Sequence, residues 1–173
     1  MSNLQYLAKQ KTDAELERQV SAMSELIEAM LHEHAAKGLL KSGATLKRVV
    51  AICKDATEKQ RDAAIREYRW AVNQALAVSQ SWVERLVFDA CVSIDSLHVA
   101  SEKQIKNICK ENEKPELVAC LLSELAITES ASKNDIALAL RSCFAERSRG
   151  LIKSIPGFLQ NIISKIFSGG ATR

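Results

Sequence analysis

The sequence predicts an all-α protein, a compact helical bundle of about six or seven helices with an amphipathic C-terminal helix. Three observations predict it. Gly and Pro number only six and two in 173 residues, too few for the turns that an all-β sandwich or barrel needs at short intervals. Apolar residues make up 47% and charged residues 26% of the chain, enough for a core and against wholesale disorder. Along most of the chain the apolar residues recur at helical three-and-four spacing.

Residues 1–11 are expected to be a flexible lead-in, 12–150 a helical bundle domain, and 151–173 an amphipathic helix with a short flexible tail. Thr12 with Glu15 reads as a capping box, in which hydroxyl and carboxylate each cover an orphan N–H. Leu16, Val20, Met23, Ile27, Met30 and His34 then form one stripe, which Gly38 and Ser42-Gly43 end. A short helix over 44–54 buries Leu46, Val49, Val50 and Cys53. Thr57 with Gln60 offers another capping box, although the helix can also run through here, and the longest helix extends from about Glu58 into the Ala90 region, with Ile65, Tyr68, Val72, Leu76, Ser79, Val83, Leu86 and Ala90 on one face. Ser101 with Gln104 opens the next helix, and Asn112 and Pro115 close it. Pro115 suits the first turn of a helix that buries Val118, Leu121, Leu122 and Leu125. Thr128–Asn134 is expected to connect to a helix with Ile136, Leu140, Cys143 and Phe144, ending near Gly150. The last helix starts at about Ser154–Pro156 and ends at Gly169-Gly170.

The five cysteines, Cys53, Cys91, Cys109, Cys120 and Cys143, are odd in number, widely spaced and set among apolar helical positions. Reduced, mostly buried thiols and a cytoplasmic location are expected. No secretory signal pattern and no long uninterrupted apolar run is read in the chain.

No catalytic constellation is recognisable, and a non-enzyme without cofactor, metal or small-molecule substrate is expected. His32 and His34 point to different sides of a helix, whereas a helical metal pair wants i,i+4 or i,i+3 spacing. His34 reads as a half-buried core residue. Gly38–Gly43 lacks the Gly-Lys-Ser/Thr order of a phosphate loop. Cys143 has Arg147 and Arg149 downstream but no local histidine to act as base. Asp89 and Asp95 are not distinguishable from helix-surface charges.

Net charge is +3, but it is unevenly spread. Residues 41–69 carry eight basic and four acidic side chains and residues 130–173 seven and two, while 1–40 and 70–129 are acidic. The alternative function is therefore a nucleic-acid-associated protein using Lys47, Arg48, Lys54 and Arg61, although i,i+4 acid–base pairs such as Asp55 with Lys59 neutralise much of that block. A helix-turn-helix drawn across Ser123–Arg141 lacks the turn glycine, and its reading face (Ser132, Lys133, Ala137, Leu138) has few side chains that reach bases. Asp95–Glu102 resembles the inter-helix loop of TerB-like helical domains of tellurite resistance, without the glycine that usually follows the acidic residue. No function is carried over from it.

The segment from Ser154 to Ser168 carries a continuous apolar face, Ile155, Phe158, Leu159, Ile162, Ile163, Ile166 and Phe167, opposite the thinly charged Gln160, Asn161, Ser164 and Lys165. It can close its own core, dock on a partner or a second copy, or lie on a membrane surface, the last disfavoured by the weakly charged polar face. The favoured function is a protein–protein interaction protein, a small adaptor, inhibitor or assembly subunit. Its hydrophobic anchors are expected at Phe158, Leu159, Ile162, Ile163, Ile166 and Phe167, with Arg147, Arg149 and Lys153 as a basic rim.

Overall fold

Backbone chemistry at three connections decides where this chain stops being helical. The computed structural model describes residues 3–154, with the side chains of residues 3–149. Those residues form four long helices, α1 (Asn3–Ala36), α2 (Gly43–Gln74), α3 (Gln80–Glu111) and α4 (Val118–Ser154), with a 3-10 turn at Pro115–Leu117. No strand occurs among them.

Gly38, at φ +67°, ends α1: the Leu39 N–H donates to the His34 carbonyl (2.8 Å) and the Gly38 N–H to that of Ala35 (3.0 Å), which is a Schellman motif. Ser42 then caps α2 by accepting from the Thr45 N–H. At the third connection Glu113 takes the left-handed position, φ 58°, and Lys114 and Glu113 N–H donate to the Cys109 and Lys110 carbonyls. Pro115 opens the following turn, as its missing N–H allows.

The second connection, Ala75–Ser79, has neither Gly nor Pro. Ala75 swings to extended backbone, and Ser79 caps α3 by accepting from the Trp82 N–H. Arg147 on α4 donates to the carbonyls of Val72 and Ala75, satisfying the end of α2. The expected continuous helix from Glu58 toward Ala90 is therefore wrong. Leu76, assigned to its apolar face, is 99% exposed.

The expectation of six or seven helices also fails: four occur in the described region. Helix α1 begins at Asn3 rather than near Thr12, with Gln5 and Ala8 buried. The capping boxes at Thr12, Thr57 and Ser101 lie inside helices. The Thr12 and Thr57 hydroxyls donate to the Ala8 and Cys53 carbonyls one turn back, and Ser101 reaches the sulfur of Met23. Residues 44–54 belong to α2, and Thr128–Asn134 is an uninterrupted part of α4. Asp95–Glu102 lies mid-α3, so the TerB-like loop is absent. The helix-turn-helix across Ser123–Arg141 is absent for the same reason.

The helices run up-down-up-down. Lys11 meets Glu67, and His34 meets Thr45, across antiparallel α1 and α2. Gln5 with Asp89, and Ser24 with Gln104, align α1 parallel to α3. Lys54 with Glu124, and Arg61 with Asp135, align α2 parallel to α4. Helices α2 and α3 touch each other, and α1 and α4 flank them without close backbone approach to one another.

Two apolar clusters fill the interior. One, near the Ala75–Ser79 turn, gathers Tyr68, Val72, Trp82, Leu86, Ile94, Ile136 and Leu140. The other, toward the opposite end, gathers Met23, Ile27, Leu46, Val49, Leu97, Ile105 and Leu125. Between them along α1, α2 and α4 sit buried polar residues, Thr12, Thr57, Gln60 and Ser132, and the Gln60 amide donates to the Thr12 carbonyl (3.2 Å).

Candidate interaction surface

The anchors expected from sequence, Phe158, Leu159, Ile162, Ile163, Ile166 and Phe167, lie outside the described residues. Of the rim, Lys153 falls in the last turns of α4, and Arg149 is exposed. The Arg147 guanidinium is spent inside the protein on the end of α2.

The described surface carries apolar groups that sequence reasoning did not assign to a protein contact. On the outer face of α3 stand Phe88 (68% exposed), Val92 and Val99 (64%). On that of α4 stand Ile127 (69%) and Leu138 (67%). A ladder of polar contacts joins the two helices: Glu84 with Arg141 (2.8 Å), Asp95 with Lys133, and Glu129 with His98 Nδ1 (2.9 Å). In this antiparallel register Phe88 stands level with Leu138, and Val99 with Ile127. Between Ile127 and Leu138 the α4 surface continues through Ser130, Ala131 and Asn134, all exposed and uncharged. The sequence signal was present in the Ile127, Ala131, Asn134, Leu138 spacing, which is a helical seam distinct from the core positions Leu125, Ser132, Ile136 and Leu140.

The ladder is electrostatically tight. The Arg141 hydrogen bond and charge hold the Glu84 carboxyl below the usual carboxylate range. Burial works against the Lys133 charge, but the hydrogen bonds it donates to Asp95 and Glu129 outweigh it and raise its pKa.

The basic residues of the nucleic-acid alternative do not form one free surface. Lys54 pairs with Glu124 and Arg61 with Asp62 and Asp135, so two of the four are engaged with carboxylates, mainly of α4. Lys47 and Arg48 are exposed, and Arg48 borders a groove of about 520 Å³ between α1 and α2, floored by Leu26, Met30 and Ile52 and edged by Glu33 and Asp55.

His34 is half-buried with Nδ1 2.7 Å from the Thr45 hydroxyl, which itself donates to the Leu39 carbonyl; the ring nitrogen therefore donates. His32 is exposed, and no group of three or more His, Cys, Asp and Glu side chains among the described residues is placed to hold a metal. Cys53, Cys109 and Cys143 are buried, Cys91 is half-buried and Cys120 is exposed, all as free thiols. Burial pushes the Cys53 thiol up to about 11, the reverse of what a nucleophile needs. The Cys143 thiol lies 3.4 Å from the Asn73 side-chain oxygen, in the core cluster. Asp89 accepts from Gln5, and Asp95 pairs with Lys133.

Among the described residues no helix is long and apolar enough to cross a membrane. Compared with known proteins, the chain matches no family model, and no curated protein or solved structure is similar to it.

Proposed function

We propose that this chain is a non-enzymatic protein–protein interaction protein, a small adaptor, inhibitor or assembly subunit that works through apolar helix faces. The observation that carries the reading is the set Phe88, Val99, Ile127 and Leu138, four large apolar side chains each about two-thirds in water on adjoining helices. Scattered apolar residues are ordinary on a surface. Apolar side chains at matched heights on two neighbouring helices, with small uncharged residues between them on α4, suit a partner helix laid alongside. The nucleic-acid alternative, through Lys47, Arg48, Lys54 and Arg61, has less support because Lys54 and Arg61 are already neutralised.

The test is co-purification of tagged wild type against the double variant Phe88→Asp with Leu138→Asp. Both sites are exposed, so the fold should survive. The expected result is one defined protein retained stoichiometrically by wild type, resistant to nuclease and lost with the variant. Equal retention by both forms, or retention abolished by nuclease, would refute the reading.

A further inference from the structure

The face that carries Phe88, Val99, Ile127 and Leu138 has an internal symmetry. On α4 the exposed residues Ser123, Ile127, Ala131, Asn134, Leu138 and Ser142 form one uncharged stripe. Their spacing is four, four, three, four and four, the same read from either end. The pattern repeats every eleven residues, close enough to whole helical turns to keep the stripe on one side of the helix. Such a stripe fits an antiparallel copy of itself. Two α4 helices laid antiparallel with Ala131 opposite Asn134 also set Ile127 opposite Leu138 and Ser123 opposite Ser142, in both directions at once. A slip of one turn sets Ile127 against Asn134 or Ser142 instead, and the match of large apolar side chains is lost.

Helix α3 obeys the same two-fold. Within one copy the polar ladder holds Phe88 level with Leu138 and Val99 level with Ile127. The axis that brings Ile127 to Leu138 of a second copy therefore brings Phe88 to Val99 of that copy. The charges agree with it. Glu124 comes opposite Arg141, and on α3 Glu84 comes opposite Lys103 and Arg85 opposite Glu102. Neither helix pairing sets like charges face to face. A two-fold contact needs this self-complementarity, in apolar groups and in charge, whereas a foreign partner needs none of it. Over Cys120–Ala145 two neighbouring helices present a face about 38 Å by 20 Å, close to the ~800 Å² per partner of a standard protein interface.

We propose that the occupant of this face is a second copy of the chain, bound across a two-fold axis with α4 antiparallel to α4. The proposal rests on the reading of the α3–α4 face as a contact surface and names its partner. The chain is then an assembly subunit that closes as a dimer.

The experiment uses the full chain and two variants, Ile127→Asp and Leu138→Lys. Both sites are about two-thirds in water, and circular dichroism will verify that each variant keeps the helical fold. Wild type is expected to show a dimer mass by light scattering. Each variant alone sets a charge against an apolar side chain at two symmetry-related places, and should dimerise at least about a hundredfold more weakly. Mixed one to one, the two variants should recover a dimer. The new carboxylate of one copy then meets the new ammonium of the other, and the remaining Leu138–Ile127 pair is untouched. A wild-type monomer at about 100 μM would overturn the proposal. A different protein still retained by wild type and lost with Phe88→Asp and Leu138→Asp would in that case keep the contact reading with another occupant. A wild-type dimer that neither variant weakens would overturn the proposal by placing the dimer contact elsewhere. Variants that dissociate and do not recover on mixing would overturn the two-fold pairing.

Discussion

Replacing Tyr68 by Phe should stabilise this protein, against the usual direction of core substitutions. Tyr68 lies on α2, fully buried within the cluster formed by Ala64, Ala71, Val72 and Leu86, and its hydroxyl has no hydrogen-bond partner. Burial drives its pKa well above the usual tyrosine range, and the charges of Asp89 and Asp13 push the same way, so the group stays protonated and neutral. A neutral hydroxyl buried without a partner costs about 1–3 kcal/mol relative to water. Deleting one oxygen forfeits a few dispersion contacts at about 0.1–0.2 kcal/mol each and leaves a void smaller than a methyl group. The balance is a gain of about 1 kcal/mol, or roughly 2–4 °C in Tm for a chain of this size. Urea unfolding followed by helical circular dichroism measures it, with an unchanged m-value confirming that both forms expose the same surface. A loss of 1 kcal/mol or more would refute the reasoning, because it would mean that the hydroxyl is hydrogen-bonded in the native protein.

The further predictions concern the backbone and the thiols. Gly38→Ala should cost on the order of 1 kcal/mol: its Cβ meets no atom within 4 Å, so the loss is left-handed strain less a smaller gain from a stiffer unfolded chain. Glu113→Gly relieves the same strain at φ 58° but gives up the exposed ion pair with Lys41, and should lie between neutral and about 1 kcal/mol stabilising. Thermal melts that shift the same way for both variants would contradict this account. In native protein a thiol reagent should label Cys120 first and Cys91 more slowly, with Cys53, Cys109 and Cys143 reacting only on unfolding. Cys53 also predicts an alkaline weakness. Its folded pKa, raised by burial to about 11 from 9.0, lies above the unfolded value, so its contribution is complete below pH 9.0 and is lost as pH rises toward about 11. Cys53→Ala should flatten that alkaline limb, even though it lowers stability at neutral pH. A native disulfide, or an alkaline limb unchanged in the variant, would count against this.

The all-α class was legible because the apolar spacing is a long-range pattern that no local choice of turn can disguise. The helix count was not, because the same residue pairs serve two purposes. Thr57 with Gln60 has the composition of a capping box. In the fold Thr57 closes onto the Cys53 carbonyl, and Gln60 reaches across to Thr12. Ser101 and Gln104 likewise reach Met23 and Ser24 on α1. A hydroxyl followed three residues later by an amide marks a helix start only if the chain is not already helical, and that is a tertiary fact. The break at Ala75–Ser79 was hidden for the opposite reason. Its residues are apolar helix formers, and what stops the helix is the Ser79 cap together with Arg147, which arrives from α4 to take the last carbonyls of α2. Gly38 and Pro115, whose effects are local, were read correctly. The candidate contact face was missed because Phe88 and Leu138 meet in register only after α3 and α4 pair.

That register has a physical guarantor. The Glu84–Arg141 and Asp95–Lys133 rungs are exposed or half-exposed pairs, worth about 0–1 kcal/mol singly, and add little to stability, while the His98–Glu129 rung is mostly buried. The ladder's effect lies in the comparison between registers. Sliding α4 along α3 by one turn would break all three rungs together and bring Phe88 level with Arg141 or Asn134 instead of Leu138. Weak polar contacts that are jointly satisfied in one alignment therefore select it over neighbours that bury nearly the same apolar area. The outward apolar faces inherit their geometry from that selection. If the α3–α4 face is the contact surface proposed above, Arg141→Gln with Lys133→Gln should weaken co-purification of the partner more than it lowers Tm, as pull-down and thermal melts of the same variant will measure.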